Sequence, residues 1–95
     1  MGCNEAKDEN LPTLLCDFES GNEEQKEYCI KLTKNFKYQK KIKYSINSTQ
    51  GVPFSVKFKL NNQIYDIQNV YQCSDEDMNS ALKQIYDIID NNSNS

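Results

Sequence analysis

Cys3, Cys16, Cys29 and Cys73 are the side chains best suited to nucleophilic or metal chemistry in a chain that contains no His. Twelve, twelve and forty-three residues separate them in turn. No pair has the close C-x₂₋₄-C spacing of a zinc knuckle, and no imidazole completes a mixed site, so the pattern points to no metal. A nucleophilic thiol needs an activating base or a helix N-terminus. Cys73 comes nearest, just ahead of an expected helix, but Asp75 and Glu76 would keep its thiol protonated. The run Asp75-Glu76-Asp77 lacks the loop glycine and final bidentate Glu of a calcium loop, and helix capping accounts for it. Three glycines in the whole chain supply no phosphate-cradling loop. The inventory assembles no catalytic set. The sequence therefore reads as non-enzymatic, with no cofactor and no evident small-molecule substrate.

The same cysteines bear on compartment. No charged-then-apolar signal segment opens the chain, which favours free, partly buried thiols in an intracellular (cytoplasmic or nuclear) protein. In a processed secreted chain, four cysteines allow two bridges in three connectivities. The opening Met1-Gly2-Cys3 offers a lipidation alternative, with Gly2 as a myristate acceptor and Cys3 as a palmitate acceptor. Against it, Ala6 stands where Ser or Thr is preferred, and Glu5, Asp8 and Glu9 would repel an anionic membrane. With a mean hydropathy of −0.83, no apolar run is long enough to span a bilayer.

Charge is strongly segregated. The net charge of −3 conceals −6 over residues 1–30, +8 from Lys31 to Lys59, and −5 over residues 60–95. All eleven basic residues are Lys, so bidentate guanidinium clamps are absent. An acid-free block of eight lysines calls for an acidic counterpart, either a protein surface or nucleic acid, unless the chain's own ends neutralise it.

The elements that position these residues follow from periodicity. At 95 residues the chain fits one domain. Residues 1–19 read as an acidic N-terminal extension whose apolar island, Leu11 to Phe18, forms a short docking helical turn. A domain over 20–90 follows, then a frayed tail at 91–95. Ser20-Gly21-Asn22-Glu23 reads as a capping box for a helix over 22–37 with the stripe Tyr28, Leu32, Phe36. The period then drops to two. Ile42, Tyr44 and Ile46 mark a half-buried strand over 41–46, and Phe54, Val56, Phe58 and Leu60 mark a second over 53–60. Asn61-Asn62 suits a tight hairpin turn into a third strand over 63–72, with a bulge near Gln68 or Asn69. Ser74 caps a last helix over 75–90, striped by Met78, Ala81, Leu82, Ile85, Ile88 and Ile89. The expected fold is α+β, in the order α-β-β-β-α: a three-stranded antiparallel sheet with two helices packed on one face.

Over about residues 22–90 this order resembles the double-stranded RNA-binding domain. Tyr44 precedes Gly51 by seven residues, Phe54-x-Val56-x-Phe58-x-Leu60 resembles the family's second strand, and Asn61-Asn62 stands at its hairpin with Tyr65 early in the third strand. Ser74, Met78, Ala81-Leu82, Ile85 and Ile89 follow the spacing of its last helix. The family's RNA contacts are not matched. Asp75, Glu76 and Asp77 replace its lysine cluster, and Gly51-Val52-Pro53-Phe54 lacks its minor-groove His. The resemblance implies a degenerate member of a type that docks on proteins.

These readings converge on an accessory interaction module that docks on a larger protein or ribonucleoprotein partner. Lys41, Lys43, Lys57 and Lys59 share the parity that faces away from the apolar residues and form the expected partner-binding face of the sheet. Direct, nonspecific RNA binding through the Lys31–Lys59 block is the alternative, with Lys34, Lys37, Tyr38 and Lys40 as candidate contacts. A lipid-anchored adaptor held by Gly2 and Cys3 is the second alternative.

Overall fold

A computed structural model describes residues 11–36 and 42–93. Strand β1 (Thr13–Glu19) leads into helix α1 (Glu23–Asn35), followed by strands β2 (Lys43–Thr49), β3 (Ser55–Leu60) and β4 (Gln63–Asp66) and helix α2 (Asp75–Ser93). The fold is α+β, with two helices and a four-stranded mixed sheet in the order β2-β1-β3-β4. β1 runs parallel to β2 and antiparallel to β3, and β3 pairs antiparallel with β4.

The expected three-stranded antiparallel sheet is thus corrected in two respects. The island placed in an N-terminal extension is neither helical nor peripheral, because residues 13–19 form an interior strand. β2 and β3 are separated by β1, so they are not the neighbouring antiparallel strands expected. The reason lies in the island's own pattern. Leu14, Cys16 and Phe18 are buried while Thr13, Leu15, Asp17 and Glu19 alternate with them, a period of two rather than 3.6.

One apolar layer holds the sheet to the helices. Leu14, Cys16 and Phe18 from β1 and Val56 and Phe58 from β3 meet Tyr28, Cys29, Leu32 and Phe36 from the α1 side. Met78, Ala81, Ile85 and Ile89 of α2 close the same layer, as the helical stripe anticipated. Phe58 and Ile85 have no exposed surface at all. Phe36 stacks on Tyr86 with ring centroids 5.4 Å apart, tying the end of α1 to α2. The edge strand β2 lies beyond this cover. Tyr44 and Ile46 share the helix-facing side with Leu14 and Cys16 by register, yet remain 46% and 36% exposed. The expected half-buried strand is therefore an exposed one.

Local chemistry sets the boundaries. The N-cap of α1 is Asn22, whose side chain accepts from the Gln25 backbone N–H at 3.0 Å, and not Ser20. Ser20 instead donates its backbone N–H to the Thr49 carbonyl. Gly21 makes the turn between them at φ 89°, a conformation that favours glycine. Asn61 and Asn62 adopt φ 54° and 68°, the left-handed pair required by the β3–β4 hairpin. β4 ends at Asp66 rather than continuing to residue 72 through a bulge. One further backbone bond, from the Ile67 N–H to the Val56 carbonyl, follows, and Gln84 of α2 then clamps the chain by bonding both the N–H and the carbonyl of Gln68. Ser74 caps α2 as expected, accepting from the Asp77 N–H at 3.1 Å. α2 continues through Asn91 and Asn92 to Ser93, past the expected end at residue 90.

Candidate interaction face

Both helices pack on one side of the sheet, so its other side carries the alternate residues of every strand. Registers place Lys43, Thr13, Lys59 and Ile64 in one row across β2, β1, β3 and β4. A second row runs Ser45, Leu15, Lys57, Asp66. Further along, Asn47, Asp17 and Ser55 align, and Glu19 lies beside Thr49. The lysines thus gather at the Thr13 end and the β1 carboxylates at the Glu19 end. Strand geometry puts the Lys57 and Lys59 backbones about 7 Å apart and those of Lys43 and Lys59 about 10 Å apart. Within this basic end, Ile64 is 59% exposed and Leu15 half-buried. Among the described residues nothing packs over this face.

Of the four lysines expected on the sheet face, Lys43, Lys57 and Lys59 stand on it, while Lys41 lies outside the described residues. They are not on neighbouring strands as anticipated, because β1 intervenes and contributes Thr13 and Leu15 between them. Lys34 is exposed in the last turn of α1, on the other side of the sheet from these three. The remaining candidate RNA contacts Lys37, Tyr38 and Lys40, and the lipidation candidates Gly2 and Cys3, also lie outside the described residues. Sequence reasoning missed Thr13, Leu15, Ile64 and Asp66. The alternation in residues 13–19 was the available signal for the first two. Asp66 faces Lys57 directly in register, so part of the counter-charge comes from the sheet itself.

A second concentration of chemistry lies among the buried groups. Cys16 and Cys29 have no exposed surface, and their thiols share a hydrogen bond between β1 and α1. That bond and burial hold the Cys16 thiol far above its ordinary range, while the bond from Cys16 favours the Cys29 thiolate. Cys73 is partly exposed in a turn at φ 55°, and burial, with Glu24 nearby, pushes its thiol up to about 11. It lines a cleft of about 210 Å³ with Glu24, Glu27, Tyr28 and Lys31. The Tyr28 hydroxyl is buried with no hydrogen-bond partner, and desolvation raises its pKa. None of these groups has a histidine to activate it. Among the described residues, no group of three or more Cys, Asp or Glu side chains is arranged to hold a metal ion.

No family model, no curated protein and no solved structure matches this chain. Among the described residues, no helix is long and apolar enough to cross a membrane.

Proposed function

We propose that this protein is a non-enzymatic interaction module that docks an acidic partner on the basic end of its uncovered sheet face. One observation carries the reading: on the side that neither helix covers, Lys43, Lys57 and Lys59 share the surface with half-buried Leu15, which lies between their strands, and with exposed Ile64, beside Lys59 on the edge strand β4. Apolar surface set beside charge suits a protein partner, since the apolar part supplies desolvation and the charges steer and orient the partner. Nucleic acid would use the same lysines differently. Nonspecific phosphate contacts depend steeply on salt and draw nothing from Ile64. The favoured partner is accordingly a protein, alone or within a ribonucleoprotein, with an acidic surface.

The test compares wild type with K43E/K57E/K59E and with I64E. Each is used to capture partners from the source extract, with and without nuclease, and is titrated with labelled duplex RNA and duplex DNA at low and physiological salt. The reading expects capture that survives nuclease and is lost in both variants, alongside weak duplex binding near 10⁻⁴–10⁻⁶ M that fades with salt and barely separates RNA from DNA. Tight RNA binding at physiological salt, absent for DNA, unaffected by I64E and abolished by the lysine changes, would replace it with direct RNA recognition.

A further inference from the structure

Two fully buried thiols pair across a core that is otherwise aliphatic and aromatic apart from Met78. Cys16 belongs to an interior strand and Cys29 to the helix laid across it, so a bond between them joins two elements directly rather than tightening a loop. Twelve residues, including the whole β1–α1 turn, separate them in the chain. The apolar cluster to which both belong includes Leu14, Phe18, Leu32 and Val56, and the charge that acts on both sulfurs is that of Asp17, which disfavours either thiolate. Cys73 is set apart by its partly exposed position at the cleft.

We propose that Cys16 and Cys29 are a dithiol–disulfide couple, oxidised by a low-molecular-weight disulfide of the glutathione type to a bond that staples α1 onto β1. In the first step the Cys29 sulfur, as thiolate, attacks one sulfur of the small disulfide. That S–S bond breaks, one glutathione thiolate departs and takes up the proton that Cys29 released, and a mixed disulfide remains on Cys29. The Cys16 thiolate then attacks the Cys29 sulfur and displaces the second glutathione, which takes up the proton from Cys16. The protein loses two electrons and two protons, and the small disulfide gains both as two thiols. Docking of α1 toward β1 brings Cys16 onto the Cys29 sulfur, the proximity that the second step requires.

Burial dictates when the exchange happens. Neither sulfur is reachable in the closed core, so attack occurs before α1 docks or during its opening from β1. A glutathione adduct on either residue does not fit a close-packed interior, and this drives its displacement by the partner thiol. The pair therefore oxidises quickly on refolding and slowly once folded.

The experiment uses the full chain carrying C3S and C73S, so that only the proposed pair remains. It is refolded from denaturant in a glutathione buffer rich in the disulfide form, quenched with acid, alkylated under denaturing conditions and weighed intact. The expected product is monomeric, lighter than the reduced chain by two hydrogen atoms and resistant to alkylation. It should give a Cys16–Cys29 cross-linked peptide on digestion, keep the reduced chain's circular dichroism and melt at a higher temperature. The same buffer added to the folded reduced chain should give this product at least tenfold more slowly. The wild-type chain, with all four thiols, should yield the same pairing as its dominant bond. Two alkylated thiols or stable glutathione adducts in the refolded chain would overturn the proposal. So would a bond that forms only with loss of the native spectrum, or a scrambled set of pairings in the wild type.

Discussion

Tyr28 shows how one side chain combines a favourable and an unfavourable contact. Its ring meets Phe54 edge-on at 5.8 Å, a geometry that suits the quadrupoles of two aromatic rings. Its hydroxyl, however, is buried without a partner and bears the desolvation penalty alone. Tyr28→Phe keeps the ring and removes the orphan group, and is expected to raise unfolding stability by about 1 kcal/mol in a denaturant titration. Phe58→Ala and Ile85→Ala act in the opposite sense. Both remove fully buried side chains and are expected to cost about 2–5 kcal/mol, a large part of the stability of a domain this small. Cys73 contributes at alkaline pH. Its thiol is raised from 9.0 to about 11 in the folded chain, chiefly by burial, so the folded state holds this proton more tightly than the unfolded state does. The associated stability is present below pH 9 and lost as pH rises from there through about 11. Midpoints measured from pH 8 to pH 11 should fall, and Cys73→Ser should flatten that fall.

The helices and hairpin illustrate how short-range chemistry sets element ends. Ser20 and Asn22, on either side of Gly21, both carry a side-chain oxygen suited to capping α1. Gly21 decides between them by turning the chain at positive φ, which brings Asn22 rather than Ser20 over the free N–H groups. Asn22→Ala should therefore cost about 1 kcal/mol, whereas Ser20→Ala should change stability by less than about 0.5 kcal/mol. Equal losses from the two substitutions in paired thermal melts would contradict the observed cap. β2 shows the limit of such local reasoning. Its alternation is sound and its apolar residues do share the helix-facing side, but an edge strand outside the helical cover leaves Tyr44 and Ile46 exposed.

For the whole molecule, the position of β1 governs both stability and docking. It pairs with β2 on one side and β3 on the other and supplies Leu14, Cys16 and Phe18 to the core. Its outward residues hold the lysines of β2 and β3 apart and place Leu15 between them. A chain beginning at Leu11 retains every described element, while one beginning at Ser20 loses the strand that joins β2 to the rest of the sheet. Heteronuclear NMR spectra should be dispersed for the first and collapsed for the second. A cooperatively folded chain from residue 20 onward would show that the acidic segment is the dispensable extension its composition suggests.

The sequence alone determined the elements whose signal is contained within a few turns of chain. α1 and α2 follow from 3.6-residue stripes and acidic first turns, and the β3–β4 hairpin follows from alternation around Asn61-Asn62. Phe58 and Ile85 were legible as core residues for the same reason, since each lies at the centre of an unambiguous apolar face. The outward parity of Lys43, Lys57 and Lys59 was legible too, because side-chain direction in a strand is a local property. Tertiary structure alone decided which strands pair. Backbone hydrogen bonding between strands is nearly independent of sequence, and the choice rests on which arrangement buries the most apolar surface beneath two helices. That choice placed β1 between β2 and β3, left Tyr44 and Ile46 at an uncovered edge, and set Ile64 and Leu15 among the lysines. It also brought Cys16 against Cys29, since a contact between a strand and a helix packed across it depends on how the two elements dock and has no period for the sequence to display.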